Sequence, residues 1–163
     1  MIKKYIITFF ISMVPLIELR GAVPFGLSEV MGGSLPLIPL YAVSIIGNML
    51  PVPIIFFFAR KVLEWGKDKK YTKKFFTFCL EKGEKGGKKL LEKAGGSVYF
   101  ALLLFVGIPL PGTGAWTGTL AASLLDLDFK KSIIAVMAGV VLAGIIMGLA
   151  SAGVFGAIGA LIN

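Results

Sequence analysis

Residues 98–114 read VYFALLLFVGIPLPGTG: an uncharged apolar run from Val98 that ends in Pro109-Leu110-Pro111-Gly112-Thr113-Gly114. A helix needs about 20 apolar residues to cross a hydrocarbon core of about 30 Å, and this run stops well short of that. Proline removes a backbone donor and clashes with the preceding turn, and glycine lets the chain reverse sharply. In hydrocarbon each unpaired backbone group costs several kcal/mol. The segment therefore predicts a helix that stops at depth, with its freed carbonyls and amides turned to water, a ligand or other protein. Ala115 to Leu125 is weakly apolar and predicts the returning arm.

The same arrangement occurs at the start of the chain. Tyr5 to Ile17 is apolar, Glu18-Leu19-Arg20 interrupts it, and Gly21-Ala22-Val23-Pro24-Phe25-Gly26 leads into a weakly apolar stretch ending at Gly33. Each interrupted segment precedes a long one. Leu35 to Phe58 carries no charge and a single amide, Asn48, while Ser132 to Ile162 is built almost wholly from Ala, Gly, Val, Ile, Leu and Met. Sliding the second half back so that Leu110 falls on Leu19 sets Gly112 on Gly21 and Trp116 on Phe25. Paired interrupted segments in matching positions of two halves point to a transporter site.

The expected fold is an all-α integral membrane protein forming one membrane domain, residues 1–163, with two inverted halves. Each half is a re-entrant helical hairpin (5–33 and 98–125) followed by a transmembrane helix (35–58 and 132–162). A basic amphipathic cytoplasmic segment, 59–97, joins them. The competing reading is four full spans kinked at proline, with parallel halves. Charge does not choose between the two. Each model leaves most loop Lys and Arg on the cytoplasmic side, as the positive-inside rule asks, and they differ over Lys3-Lys4 and Lys130-Lys131.

Composition supports the bilayer as solvent. The chain is 56% hydrophobic and 16% charged, against about 25% charged in a soluble domain, and its mean hydropathy is +0.88. Twelve of the 17 Lys and Arg lie between Arg60 and Lys93. In that segment Tyr71, Phe75, Phe78 and Cys79 share a helical face among lysines, which suits a helix lying on an anionic leaflet. Beside such apolar blocks the basic balance reads as a cytoplasmic loop and not as a nucleic-acid surface.

Other functional classes find little support. There is no His, and the single Cys is Cys79, so neither an internal disulfide nor a Cys/His metal site can form. Gly112-Thr113-Gly114 lacks the lysine of a phosphate-binding loop. No nucleophile–base set appears, so the chain is read as no enzyme, with no cofactor and no metal.

Glu18 and Arg20 are the sharpest candidates, because a charge at the bilayer centre costs about 2.5–3.5 kcal/mol on insertion scales. Two apart, they do not face each other on a regular helix, and a backbone break at Gly21 and Pro24 would let them meet. Functionally, Glu18 titrates or binds a cation and Arg20 holds an anionic group; structurally, they are an interfacial pair snorkelling to water. Asn48, between Gly47 and Pro51-Val52-Pro53, serves either freed carbonyls and substrate or a helix–helix hydrogen bond. In the second break, Pro109, Pro111, Gly112 and Gly114 shape the backbone. Thr113 and Thr117 offer hydroxyls to a pathway, and Trp116 is an aromatic wall or an interface anchor. Gly144 and Gly148, with Ala152, Gly156 and Ala160, make a small-residue stripe suited to dimerisation.

The runs Glu18–Gly26, Gly47-Asn48 followed by prolines, and Pro109–Trp116 resemble the small multi-drug export protein family over nearly the whole chain. That resemblance implies an export transporter. A more distant similarity links such chains to DedA-like membrane proteins, associated with lipid and polyprenyl-phosphate translocation, whose longer extra-membrane regions this sequence lacks. The leading expectation is a secondary transporter, multi-pass in the cytoplasmic membrane of a prokaryote, moving a small molecule with proton or cation coupling. The alternatives are a lipid-phosphate translocase and a non-transport assembly factor. So small a chain has little protein to bury broken backbone, so a homo-oligomer is also expected.

Overall fold

In the computed structural model, residues 1–30, 32–67, 73, 74, 77, 81 and 97–162 are described. Among them every regular element is an α-helix: α1 (Ile2–Met13), α2 (Glu18–Leu27), α3 (Leu37–Met49), α4 (Pro51–Lys67), α5 (Val98–Gly107), α6 (Ala115–Leu124) and α7 (Phe129–Ile162). The expected amphipathic face of Tyr71, Phe75, Phe78 and Cys79 lies outside the described residues.

Among the described residues two runs are long and apolar enough to cross a membrane: Leu37–Ala59, 23 residues of mean hydropathy 2.0, and Phe129–Gly153, 25 residues of mean hydropathy 2.7. At 1.5 Å per residue each exceeds the hydrocarbon thickness of about 30 Å. The first run comprises α3 and the start of α4, parted only by Leu50, which keeps helical dihedrals (φ −59°, ψ −43°).

Helix α1 is inside out by the rules of water. Its buried residues are Lys4, Thr8 and Ser12, one turn apart, while Ile2, Ile6 and Phe10 are exposed. Apolar side chains outside and polar ones inside suit a lipid surround, where polar groups must find protein partners. Thr8 Oγ1 donates to the Lys4 carbonyl and Ser12 Oγ to the Phe9 carbonyl, both at 2.7 Å. Lys4 Nζ donates to the carbonyls of Ser28 and Gly33 and lies 5.7 Å from the Phe25 ring centre. Lys4 is thus no loop cation of the kind the charge count assumed: it is 1% exposed.

The Lys4 bonds set the course of the chain. A regular helix would carry Lys4 and Ser28 about 36 Å apart at 1.5 Å per residue. Instead the start of α1 meets the end of α2, so the two helices run side by side in opposite directions. The break between them is Val14–Ile17, containing Pro15, with Leu16 and Glu18 at positive φ (71° and 50°). This corrects the expected break at Gly21 and Pro24, both of which lie inside α2. Pro15 falls after the last turn of α1, where it stops the helix. Pro24 deletes only the donor for the Arg20 carbonyl, and α2 continues past it.

Helices α5 and α6 repeat the plan. Asp128, just past α6, donates its backbone N–H to Tyr99 Oη at the start of α5 (3.2 Å), and a Cβ at Gly118 would meet Val106 and Leu102. Asp128 then caps α7, its Oδ1 accepting from Lys131 N at 2.9 Å.

Helix α7 runs back along α3 and α4. The Phe129 ring packs on Phe56 and Phe57, with centres 5.2 and 4.5 Å away. Farther along α7, Tyr41 Oη donates to the Gly144 carbonyl at 2.8 Å. The core between the pairs and the long helices contains Leu19, Val23, Val52, Leu102, Val106, Val136 and Val140. The stripe expected to dimerise is partly spent here. Gly144 and Gly148 are buried and face Tyr41 of the same chain, with no room for a Cβ at Gly148.

Candidate functional site

The two breaks meet, and each side of the meeting supplies what the other lacks. Helix α6 begins at Ala115 with free backbone donors, as every helix does. The Glu18 carboxylate fills that role from the other pair: Ala115 N donates to Oε2 and Trp116 N to Oε1, both at 3.0 Å. A carboxylate at a helix N-terminus also gains from the helix dipole, and hydrogen bonds to a charged group contribute about 1.5–3 kcal/mol each. Glu18 is buried, so these amides stand in for the water it has lost.

Arg20 performs the converse task at the end of α5. Its Nη1 donates to the carbonyls of Leu110 and Thr113, both at 2.9 Å. Its Nη2 reaches the Val106 and Ile108 carbonyls at 3.2 Å and Thr113 Oγ1 at 2.8 Å. A planar fork of fixed donors is the side chain suited to gather several carbonyls at once. Thr113 Oγ1 passes its own proton to the Leu110 or Ile108 carbonyl, at 2.8 and 3.0 Å. The second break is therefore a loop wrapped around one guanidinium.

A third strand of the latch runs the other way. Trp116 Nε1 donates to the Met13 carbonyl at 3.1 Å, taking up a carbonyl at the end of α1. Trp116 thus joins the two breaks through both its backbone and its indole. Neither the wall nor the anchor reading anticipated this.

Glycine is required in the second break. Gly114 has φ 140°, and a Cβ there would overlap the Glu18 carboxylate. Gly112 has φ 79° with open space around it, so it serves conformation alone. Gly21 packs on Ile17, where a Cβ would overlap the side chain. Pro109 is half-buried and Pro111 exposed; Pro111 opens a turn with Gly112 that Thr113 N closes on the Leu110 carbonyl at 3.2 Å, and neither proline offers an N–H. Thr117 Oγ1 points back to the Gly114 carbonyl at 3.4 Å, within its own turn.

Asn48 is 2% exposed and stands beside the Glu18 carboxylate. Of the residues singled out in sequence, Glu18, Arg20, Thr113, Gly114, Trp116 and Asn48 converge. Gly21 and Pro24 support α2 at a remove. Sequence reading missed Pro15, which makes the first break, and Lys4, Thr8 and Ser12, whose four-residue spacing was a visible signal of a polar helix face. Flanking the latch, a groove of about 270 Å³ is lined by Pro15, Leu16, Ile55, Val62, Trp116 and Leu120, among others.

Residues 18–146 match the model of the family described as "Putative small multi-drug export protein", and the chain belongs to that family. No curated protein and no solved structure matches it.

Proposed function

We propose that this member of the small multi-drug export family is a secondary transporter, multi-pass in the cytoplasmic membrane, and that the Glu18–Arg20 latch is its gate. On this reading α1–α2 and α5–α6 are re-entrant hairpins entering from opposite faces, and the halves are inverted. The support is directional. The Lys4–Ser28 bonds lie at the open end of the first pair, near the start of the Leu37–Ala59 run. The Tyr99–Asp128 bond lies at the open end of the second, where Phe129 meets Phe56 near the far end of that run.

The observation that carries the reading is the reciprocal capping of the two breaks. A protein needing only a kinked helix has no use for a buried carboxylate and a half-buried guanidinium that bind chiefly backbone groups of the other half. Such a latch has two states. Protonating Glu18, or drawing a cation to it, removes an acceptor from the N-terminus of α6. The tips can then part, and one half rocks against the other. The apolar groove beside Trp116 suits the hydrophobic part of a small lipophilic cargo. Coupling through Glu18, export of that cargo with no chemical step, and self-association that covers the exposed Pro111-Gly112 tip complete the proposal.

A second reading keeps specific support from the same bonds: every partner found for Glu18 and Arg20 is structural, as a membrane assembly factor would need. Transport and stability separate the two. In everted vesicles, the wild-type chain should accumulate ethidium under an imposed proton or sodium gradient. Glu18→Gln should lose that uptake while keeping its place in the membrane and a cooperative unfolding transition. Absence of gradient-driven uptake across a panel of lipophilic cations, with Glu18→Gln altering stability alone, would favour the assembly factor. Topology is checked by single cysteines in a Cys79→Ser chain at Lys3, Gly33 and Asp128, of which Lys3 and Asp128 are exposed. Inverted hairpins predict Lys3 and Gly33 labelled from one side and Asp128 from the other; Lys3 and Gly33 labelled from opposite sides would overturn them.

A further inference from the structure

Two oxygens on α3 are left over from the latch. Ser44 Oγ and Asn48 Oδ1 are buried with no hydrogen-bond partner among the described residues, in side chains 0% and 2% exposed. Four residues apart, they share one helix face at about 5–6 Å between Cβ atoms, a spacing that one small ligand bridges. Asn48 also stands beside the Glu18 carboxylate. With its amide nitrogen toward Glu18, its oxygen is an acceptor only and calls for a donor or a cation.

We propose that the Glu18 carboxylate, Asn48 Oδ1 and Ser44 Oγ bind one sodium ion. All three are hard oxygens, the ligand type that hard cations take. One carboxylate suits a monovalent ion, since calcium sites draw on several charged oxygens. A proton would need Glu18 alone and leave both α3 oxygens unpaired. The role of this ion in coupling rests on the transporter reading above; its binding does not.

The test is thermal unfolding of the purified full-length chain in detergent, followed by tryptophan fluorescence, in sodium chloride or choline chloride at equal ionic strength. Sodium should raise the midpoint by a few degrees and saturate. The increment should vanish in Asn48→Leu and shrink in Ser44→Ala, the milder change if the first variant fails to fold. Equal midpoints in sodium and choline, or an undiminished increment in the variants, would overturn the site. Ethidium uptake driven by a proton gradient without any sodium effect would sink this inference and leave the transporter standing. Saturable sodium binding without uptake of any cargo would do the reverse.

Discussion

The first break is four residues with one proline and no glycine, and it strains Leu16 and Glu18 into positive φ. The second, Ile108–Gly114, has two prolines and two glycines at positive φ and carries no charge. The first exports side chains; the second offers bare backbone. Helix starts in the two pairs, Glu18 and Ala115, are bonded to each other across 97 positions. Two similar helix pairs thus form a lock of unlike parts, with the charge at one tip and the glycine at the other.

That division can be broken most severely at Arg20. Arg20→Leu takes one donor from each of four carbonyls and leaves Glu18 without its neighbouring cation. A loss of about 3–5 kcal/mol is expected, read as failure to unfold cooperatively in detergent. Arg20→Lys keeps the charge but not the fork, and should recover only part of it. A loss as small as that of a surface residue would mean the guanidinium is not what holds the second break.

Next in size is the glycine side. Gly114→Ala places a methyl group in the Glu18 carboxylate at a strained φ, and should cost about 2–4 kcal/mol. Gly112→Ala meets only the conformational penalty, about 1–2 kcal/mol. The gap between the two midpoints measures the closeness of Glu18 to the break, and equal losses would deny it. Glu18→Gln turns one acceptor into a donor against a backbone N–H and should cost about 1–3 kcal/mol, with the loss of transport larger than the loss of stability.

The smallest effect should carry the opposite sign. Leu16 is an exposed leucine at φ 71°. Leu16→Gly relieves that strain and should raise the unfolding midpoint slightly, by roughly 0.5–1 kcal/mol. A lower midpoint would mean the leucine side chain stabilises the tip by packing.

Hydropathy alone separated the two long runs from the two short ones, because the length of an apolar run meets a fixed thickness of bilayer. It also marked Glu18 and Arg20, since charge in such a run is rare. Their partners were beyond it. On α2 the two side chains point in different directions, and only the wrapping of residues 106–116 brings backbone to both. Gly21 and Pro24 misled because they break helices on average, whereas here α2 runs through both. Lys4 looked like a loop cation because it adjoins Lys3 near the start of the chain; Lys3 is exposed on α1 and Lys4 buried, a difference decided by the turn of α1 against α2.

The latch also imposes an order in time. Glu18 and Arg20 leave the ribosome long before Ala115 and Trp116, 97 and 98 positions later. At about 5–20 residues per second, roughly 5–20 s pass before the partners exist. Through that interval the first half carries two uncompensated charges, and α1 carries a polar stripe. The nascent chain therefore needs shelter at the insertion machinery until its second half arrives.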